Sequence, residues 1–249
     1  MGGPRWMDHP GTAAGPLMSA SANPACLRDF VSRRFAGPGP FWTWTVFERV
    51  GGVLAYCFAR LGVSPDAVTV LGGACGVSGA LLLGVASRPA HLVLAASLLL
   101  LAYSLDCADG QLARATQRAS ARGAWLDVAV DSVVVAFVAA SLTAALQSGG
   151  GLVMSAILGG AFGASRTASL FTSAMVRREK GGMELAGWMR HLRTAFIAAV
   201  DTPFVYAALC ASRWSPALLA TVMAGITAAT AVQTLISARH HFTPPAQSS

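Results

Sequence analysis

Charge is what this chain lacks most. Only 12% of its 249 residues are Asp, Glu, Lys or Arg, roughly half the share of a soluble domain. No polar run is long enough to make a separate soluble domain, and there is no internal repeat. The five cysteines (Cys26, Cys57, Cys75, Cys107, Cys210) form no Cys-x-x-Cys pair and no even framework. That argues against a disulfide scaffold and leaves reduced, buried thiols as the reading. The five histidines (His9, His91, His191, His240, His241) show no ligand spacing with acids. No apolar core follows a charged start, so a cleavable signal peptide is not expected.

What is abundant is apolar. Hydrophobic residues make up 54% of the chain and mean hydropathy is +0.56. Six apolar segments approach or exceed the roughly 20 residues a bilayer requires. They run over about 66–85, 91–114, 124–147, 152–176, 193–212 and 216–238. The first opens with a helix-start pattern: Ser64 as cap, Pro65 at the first helical position and Asp66 in the first turn. The expected fold is an all-α integral membrane protein of six transmembrane helices behind an N-terminal amphipathic region. Residues 1–25 read as a disordered tail, 26–64 as the interfacial region, 65–240 as the membrane domain and 241–249 as a flexible tail. In the interfacial region arginines alternate with Phe30, Phe35, Phe41, Trp42, Trp44 and Phe47, which suits a surface of anionic headgroups. A helix packed on the rest of the protein is the other reading. A second helix is expected over 41–61, after the break at Gly37 to Pro40.

The net charge of +7 belongs with topology rather than with nucleic acid. Fifteen of the 18 Lys and Arg fall on one set of connections: before Pro65, between the second and third spans, between the fourth and fifth, and in the C-terminal tail. By the positive-inside rule both termini face the cytoplasm, and the turn from Gln147 to Gly151 faces away.

Four of the eleven acids lie between Asp106 and Asp131. Asp106 and Asp109 are spaced i, i+3, and Asp127 and Asp131 i, i+4, so each pair shares one helix face. The first pair ends the second span and the second pair opens the third. Arg114, Arg118 and Arg122 lie between them with no acid. Acids inside membrane segments cost about 2.5–3.5 kcal/mol each on insertion scales. Helix-end pairing with the three arginines explains one or two of them but not four at one-turn spacing. All-oxygen ligands favour hard cations, Mg²⁺ or Mn²⁺, and four carboxylates suffice for two ions. A two-metal site suits a diphosphate substrate. Arg114 can add a guanidinium to the same phosphates. Gly110 and Gly123 let a ligand or backbone come close, with a plain turn as the alternative for Gly123.

The pattern Asp106-x2-Asp109-Gly110-x2-Ala113-Arg114-x8-Gly123-x3-Asp127-x3-Asp131 resembles the signature of the CDP-alcohol phosphotransferase (CDP-alcohol phosphatidyltransferase) family. The likeness extends to six spans, an amphipathic N-terminal region and the Pro65 to Thr69 segment, where many members carry Asn in place of Asp66. It implies a membrane enzyme of phospholipid biosynthesis. Such an enzyme displaces CMP from a CDP-linked lipid with the hydroxyl of a second alcohol. By resemblance, Asp106, Asp109, Asp127 and Asp131 bind two divalent ions and Asp131 takes the acceptor proton. Asp66, Thr69, Gly110, Arg114, Ser120 and Gly123 hold the CDP portion, and the protein is a homodimer.

For the acceptor, Arg166 within the fourth span and Arg177, Arg178 and Lys180 beyond it, with Arg190 and Arg193, suit a phosphorylated alcohol. Inositol phosphate or glycerol phosphate would fit, with a lean toward the inositol-phosphate branch. Positive-inside charge alone also accounts for the loop residues. Asp201 reads as structural, paired with Arg166 or beside a kink at Pro203. Two alternatives differ in class. One is a Mg²⁺-dependent membrane prenyltransferase, whose aspartate motifs lie on well-separated segments. The other is a non-enzymatic transporter or scaffold with an acidic cation site, which leaves Gly110, Arg114 and Gly123 unexplained.

Overall fold

The computed structural model describes residues 42–147, 151–176 and 201–242. Among them there is helix and no strand. A π-helical turn, Thr43–Phe47, leads into α1, Glu48–Arg60. Then come α2 (Pro65–Val85), α3 (Pro89–Ala115), α4 (Ala121–Gln147), α5 (Leu152–Val176), α6 (Thr202–Ser212) and α7 (Pro216–Phe242).

Four of these, α2, α3, α4 and α7, are long and apolar enough to cross a bilayer. Their outward side chains are hydrocarbon: Val93 on α3 and Leu235 on α7 are more than half exposed. Water would penalise such surface, whereas lipid accepts it. The fourth expected span is a 25-residue helix as predicted, interrupted in polarity by Arg166. Of the fifth, only α6 falls within the described residues.

Local chemistry accounts for the ends. Ser64 caps α2, its Oγ accepting the Ala67 amide at 3.3 Å, with Pro65 at the first helical position. This matches the start signal in the sequence. Leu61 ends α1, and Gly62 follows at φ +70°, the left-handed turn glycine accepts freely. Thr116 ends α3, and Gln117 takes the same left-handed role at φ 56°. There the Arg118 amide reaches back to the Ala113 carbonyl at 2.8 Å. That sharp stop lets α4 return antiparallel within a few residues. Pro203 opens α6 instead of kinking a longer helix among the described residues. Asp201 before it is extended, at ψ 132°.

Small residues set the packing. Gly72 and Gly79 of α2 lie against Leu105, Ala102 and Leu99 of α3, while Gly73 meets Val130 of α4. Gly76 touches both neighbours, Val134 and Ala102. The glycine face of the first span is thus used within the chain, and side chains there would force the helices apart. Most of the core lies in one cluster around Leu83, Leu99, Val138, Leu142, Phe162, Leu209 and Met223. A smaller one, Ala55, Val68, Leu105, Ala108 and Leu112, sits under α1. Gly51 brings α1 onto the backbone of Cys107 and Ala108, and Gln111 Nε2 donates to the Glu48 carbonyl at 2.8 Å. The described part of the N-terminal region is therefore a helix packed on the protein. Of the expected tail 241–249, the first two residues continue α7; residues 243–249, the tail 1–25, the remainder of the N-terminal region, 26–41, and Arg177, Arg178, Lys180, Arg190 and Arg193 lie outside the described residues.

Candidate active site

The last turns of α3 and the first turns of α4 face each other across the tight 116–120 turn. Their carboxylates meet there. One oxygen from each of Asp106, Asp109 and Asp127 lies within 4.8 Å of the others. Asp109 has the least exposed surface of the three, 6%. Asp131, one turn further along α4, lines the same cavity without joining that set of three. Like charges this close repel, and hydrocarbon cannot screen them. A hard cation coordinated by carboxylate oxygens removes the conflict, and the donor set fits one. Thr69 of α2 donates its hydroxyl to Asp109 Oδ2. A residue expected to touch a nucleotide thus orients a carboxylate of the cluster.

The cavity holds about 200 Å³. Gly72, Gly73, Val130, Val134 and Leu170 give it an apolar flank beside the acids. Its other wall comes from α5, α6 and α7: Arg166, Ser169, Asp201, Thr202, Tyr206 and Gln233. Arg166 is 8% exposed and its Nη2 donates to Thr202 Oγ1 at 2.6 Å. Hence the intramembrane arginine does point into the same space as the aspartates.

Of the other residues expected at a nucleotide, five gather at the helix ends and do not line this cavity: Asp66, Gly110, Arg114, Ser120 and Gly123. Ser120 Oγ accepts the Gly123 amide at 3.0 Å and so caps α4. A methyl group on Gly123 would lie 3.3 Å from that oxygen and 3.5 Å from Asp66 Oδ1. These three are neighbours at the junction of α2 and α4. The Arg114 guanidinium folds back over Gly110, where an added Cβ would lie 3.2 Å from Nη1.

Several polar cavity residues escaped the sequence reading, Ser169 of α5 and Tyr206 of α6 among them. Thr43 enters from the π-helical turn, Tyr103 stands one turn before Asp106, and Gln233 comes from α7. Tyr103 and Gln233 carried a usable signal as polar groups within apolar spans. Thr43 carried none. Asp201 bonds to Thr43, accepting its amide at 2.9 Å and its hydroxyl at 2.6 Å.

The model of the CDP-alcohol phosphatidyltransferase family matches residues 62–236. A phosphatidylinositol phosphate synthase of Mycobacterium marinum is 35% identical over 94 residues, 38% of this chain and 39% of that protein. The aligned part thus spans well under half of that relative. The crystal structure of Mycobacterium tuberculosis phosphatidylinositol phosphate synthase with CDP-DAG bound superposes with a TM-score of 0.52 at 20% identity. It covers 82% of this chain and 97% of that one. The same enzyme in complex with manganese and citrate gives 0.53 at 20% identity, over 79% and 90%. At that identity the two structures establish a shared fold.

Proposed function

The chain belongs to the CDP-alcohol phosphatidyltransferase family, and from that premise we propose that it moves a phosphatidyl-type group from a CDP-linked lipid to the hydroxyl of a second alcohol, releasing CMP. The observation that carries this reading is the convergence of Asp106, Asp109 and Asp127 within 4.8 Å, with Asp131 in the same cavity. Manganese in a structure of the same fold supports divalent metal at this centre. We assign two ions, Mg²⁺ or Mn²⁺, to the four carboxylates. Bound there, they would neutralise the diphosphate oxygens and stabilise the leaving CMP.

The chain's own residues do the rest. Thr69 holds Asp109 in its rotamer. Asp66, Gly110, Arg114, Ser120 and Gly123, gathered at the helix ends, take the CDP portion. The apolar flank of the cavity receives the lipid side. Asp131 accepts the proton of the acceptor hydroxyl. The freed oxygen attacks the phosphorus on the lipid side of the diphosphate, the bond to CMP breaks, and CMP leaves. Arg166, with Arg177, Arg178 and Lys180 from the following connection, binds a phosphorylated acceptor, inositol phosphate or glycerol phosphate. The M. marinum relative, named for a phosphatidylinositol phosphate product, favours the first.

Topology supports a cytoplasmic centre. The arginine-bearing connection 116–120 lies at the cluster, and by the positive-inside rule it faces the cytoplasm together with both termini. The six-span count and a homodimer complete the proposal.

The deciding experiment supplies purified protein with Mg²⁺, CDP-diacylglycerol and a panel of alcohols. CMP should appear with one or a few acceptors. Its absence across a wide panel refutes the reading.

A further inference from the structure

The two walls of the cavity differ in kind. The α2–α4 wall carries the carboxylates and Thr69, and the α5–α7 wall carries Arg166, Asp201, Thr202 and Gln233. In the proposed function the donor's diphosphate belongs at the carboxylates of the first wall, and the body of the acceptor, held by Arg166, at the second. Asp201 then decides which acceptor chemistry that wall suits.

Asp201 stands at the N-cap of α6, where an Asp side chain ordinarily accepts an amide of the first turn. It makes no such bond. Instead its two oxygens take the amide and the hydroxyl of Thr43, at 2.9 and 2.6 Å. Thr43 Oγ1 is also 2.5 Å from the Tyr103 hydroxyl. A hydroxyl has one proton to give. Thr43 gives its own to Asp201, so Tyr103 is the donor to Thr43. The bonds run from Tyr103 to Thr43 to Asp201, and among the described residues no second donor takes the remaining lone-pair site on either carboxylate oxygen. Phe47 holds the Tyr103 ring edge-on at 5.4 Å. Asp201 is 4% exposed, and Thr43, Tyr103 and Asp201 all line the cavity. Thr43 also lies ahead of residues 62–236, so the family match does not reach it.

The geometry points to Asp201 as the residue that selects the acceptor by its non-reacting hydroxyl groups, with Thr43 as its positioning residue. A fixed carboxylate that only accepts hydrogen bonds rewards a ligand hydroxyl and gives nothing to the analogue without one. The acceptor class is therefore a polyol, not a simple alcohol. This inference rests on the phosphotransferase reading above.

The test measures CMP release with inositol phosphate and glycerol phosphate. Each is set beside a deoxy counterpart lacking a hydroxyl next to the reacting one. The natural chain should prefer the polyol by about tenfold or more in kcat/KM. Asp201→Asn and Thr43→Val should shrink that preference to within about threefold, with the KM for the CDP-lipid changed less than about twofold. Thr43→Ser, which keeps the hydroxyl, should retain it. If Thr43→Val does not fold, Tyr103→Phe removes the outer bond and should lower the preference by about threefold. A preference unchanged in these variants overturns the assignment. So does an equal loss with every acceptor, which marks a merely structural contact. A natural chain that releases CMP but ignores the missing hydroxyl refutes this inference alone. One that releases none refutes the functional reading and the inference with it.

Discussion

Thr69→Val asks whether the carboxylates work as a metal centre. The substitution keeps the β-branch and nearly the volume, and it deletes the hydroxyl that bonds Asp109. Asp109 is only 6% exposed, so water does not readily replace that donor. A hydrogen bond to a charged group is worth about 1.5–3 kcal/mol. Removing the partner that orients a metal-binding side chain lowers affinity about 10–100-fold. The two scales agree, since that factor is about 1.4–2.7 kcal/mol. In excess Mn²⁺ the metal's contribution to stability should fall by the same amount. The metal-induced rise in melting temperature in detergent should then shrink by about 3–11 °C for a chain of this size. In the CMP assay, half-activation should need about 10–100 times more metal, with the rate at saturating metal within a few-fold. Thr69→Ser should behave like the natural chain. Unchanged metal dependence in both measurements would refute the reasoning. A raised KM for the CDP-lipid at saturating metal would instead return Thr69 to the nucleotide contact that the resemblance implies.

Asp131→Asn should abolish turnover while sparing most CDP-lipid binding, measured by equilibrium binding of the donor, because its charge is needed for proton removal and it stands outside the close trio. Arg166→Ala should chiefly raise the acceptor KM in steady-state kinetics; unchanged acceptor kinetics would make Arg166 structural. Gly51→Ala places a Cβ 2.8 Å from Cys107 Cβ, 3.0 Å from its carbonyl carbon and 3.1 Å from the Ala108 nitrogen. Two of those atoms are backbone, so overpacking of about 1–3 kcal/mol should outweigh a helix-propensity gain of about 1 kcal/mol. Thermal melts should show that loss, whereas Gly160→Ala and Gly225→Ala, with nothing within 4 Å of the added atom, should melt at or above the natural chain.

The aspartates were legible in the sequence because helical spacing is a local property. Two acids three or four residues apart share a face wherever the helix goes. The tight turn after Ala115 then leaves few ways for the pairs to miss each other. The start of α2 was legible for the same reason, since Ser64 and Pro65 act within one turn. The glycine face of α2 was visible as a pattern, but not what it would meet. Only the packed chain shows Gly73 against Val130 and Gly79 against Leu99. The roles split similarly. Asp66, Ser120 and Gly123 were named together by resemblance and do sit together, whereas the bond from Thr69 to Asp109 needed the packed chain to be seen.

Asp201 marks where sequence reasoning stops, and the cause is physical. A buried acid must find donors, so the need for a partner could be stated in advance. Which partner meets it depends on how far α1 approaches α3, and that distance is set by Gly51 lying on the Cys107 backbone. The approach carries the π-helical turn, whose Glu48 amide reaches back five residues to the Thr43 carbonyl, over the cavity. Thr43 is thereby delivered to a carboxylate 158 residues away. Arg166, the expected partner, bonds Thr202 next door and attracts Asp201 electrostatically. No period or motif links Gly51 to Asp201. The consequence is nonetheless specific. Any change that lifts α1 off α3 should also loosen Asp201, so Gly51→Ala should lower stability and acceptor selectivity together. A variant that loses only stability would uncouple the two.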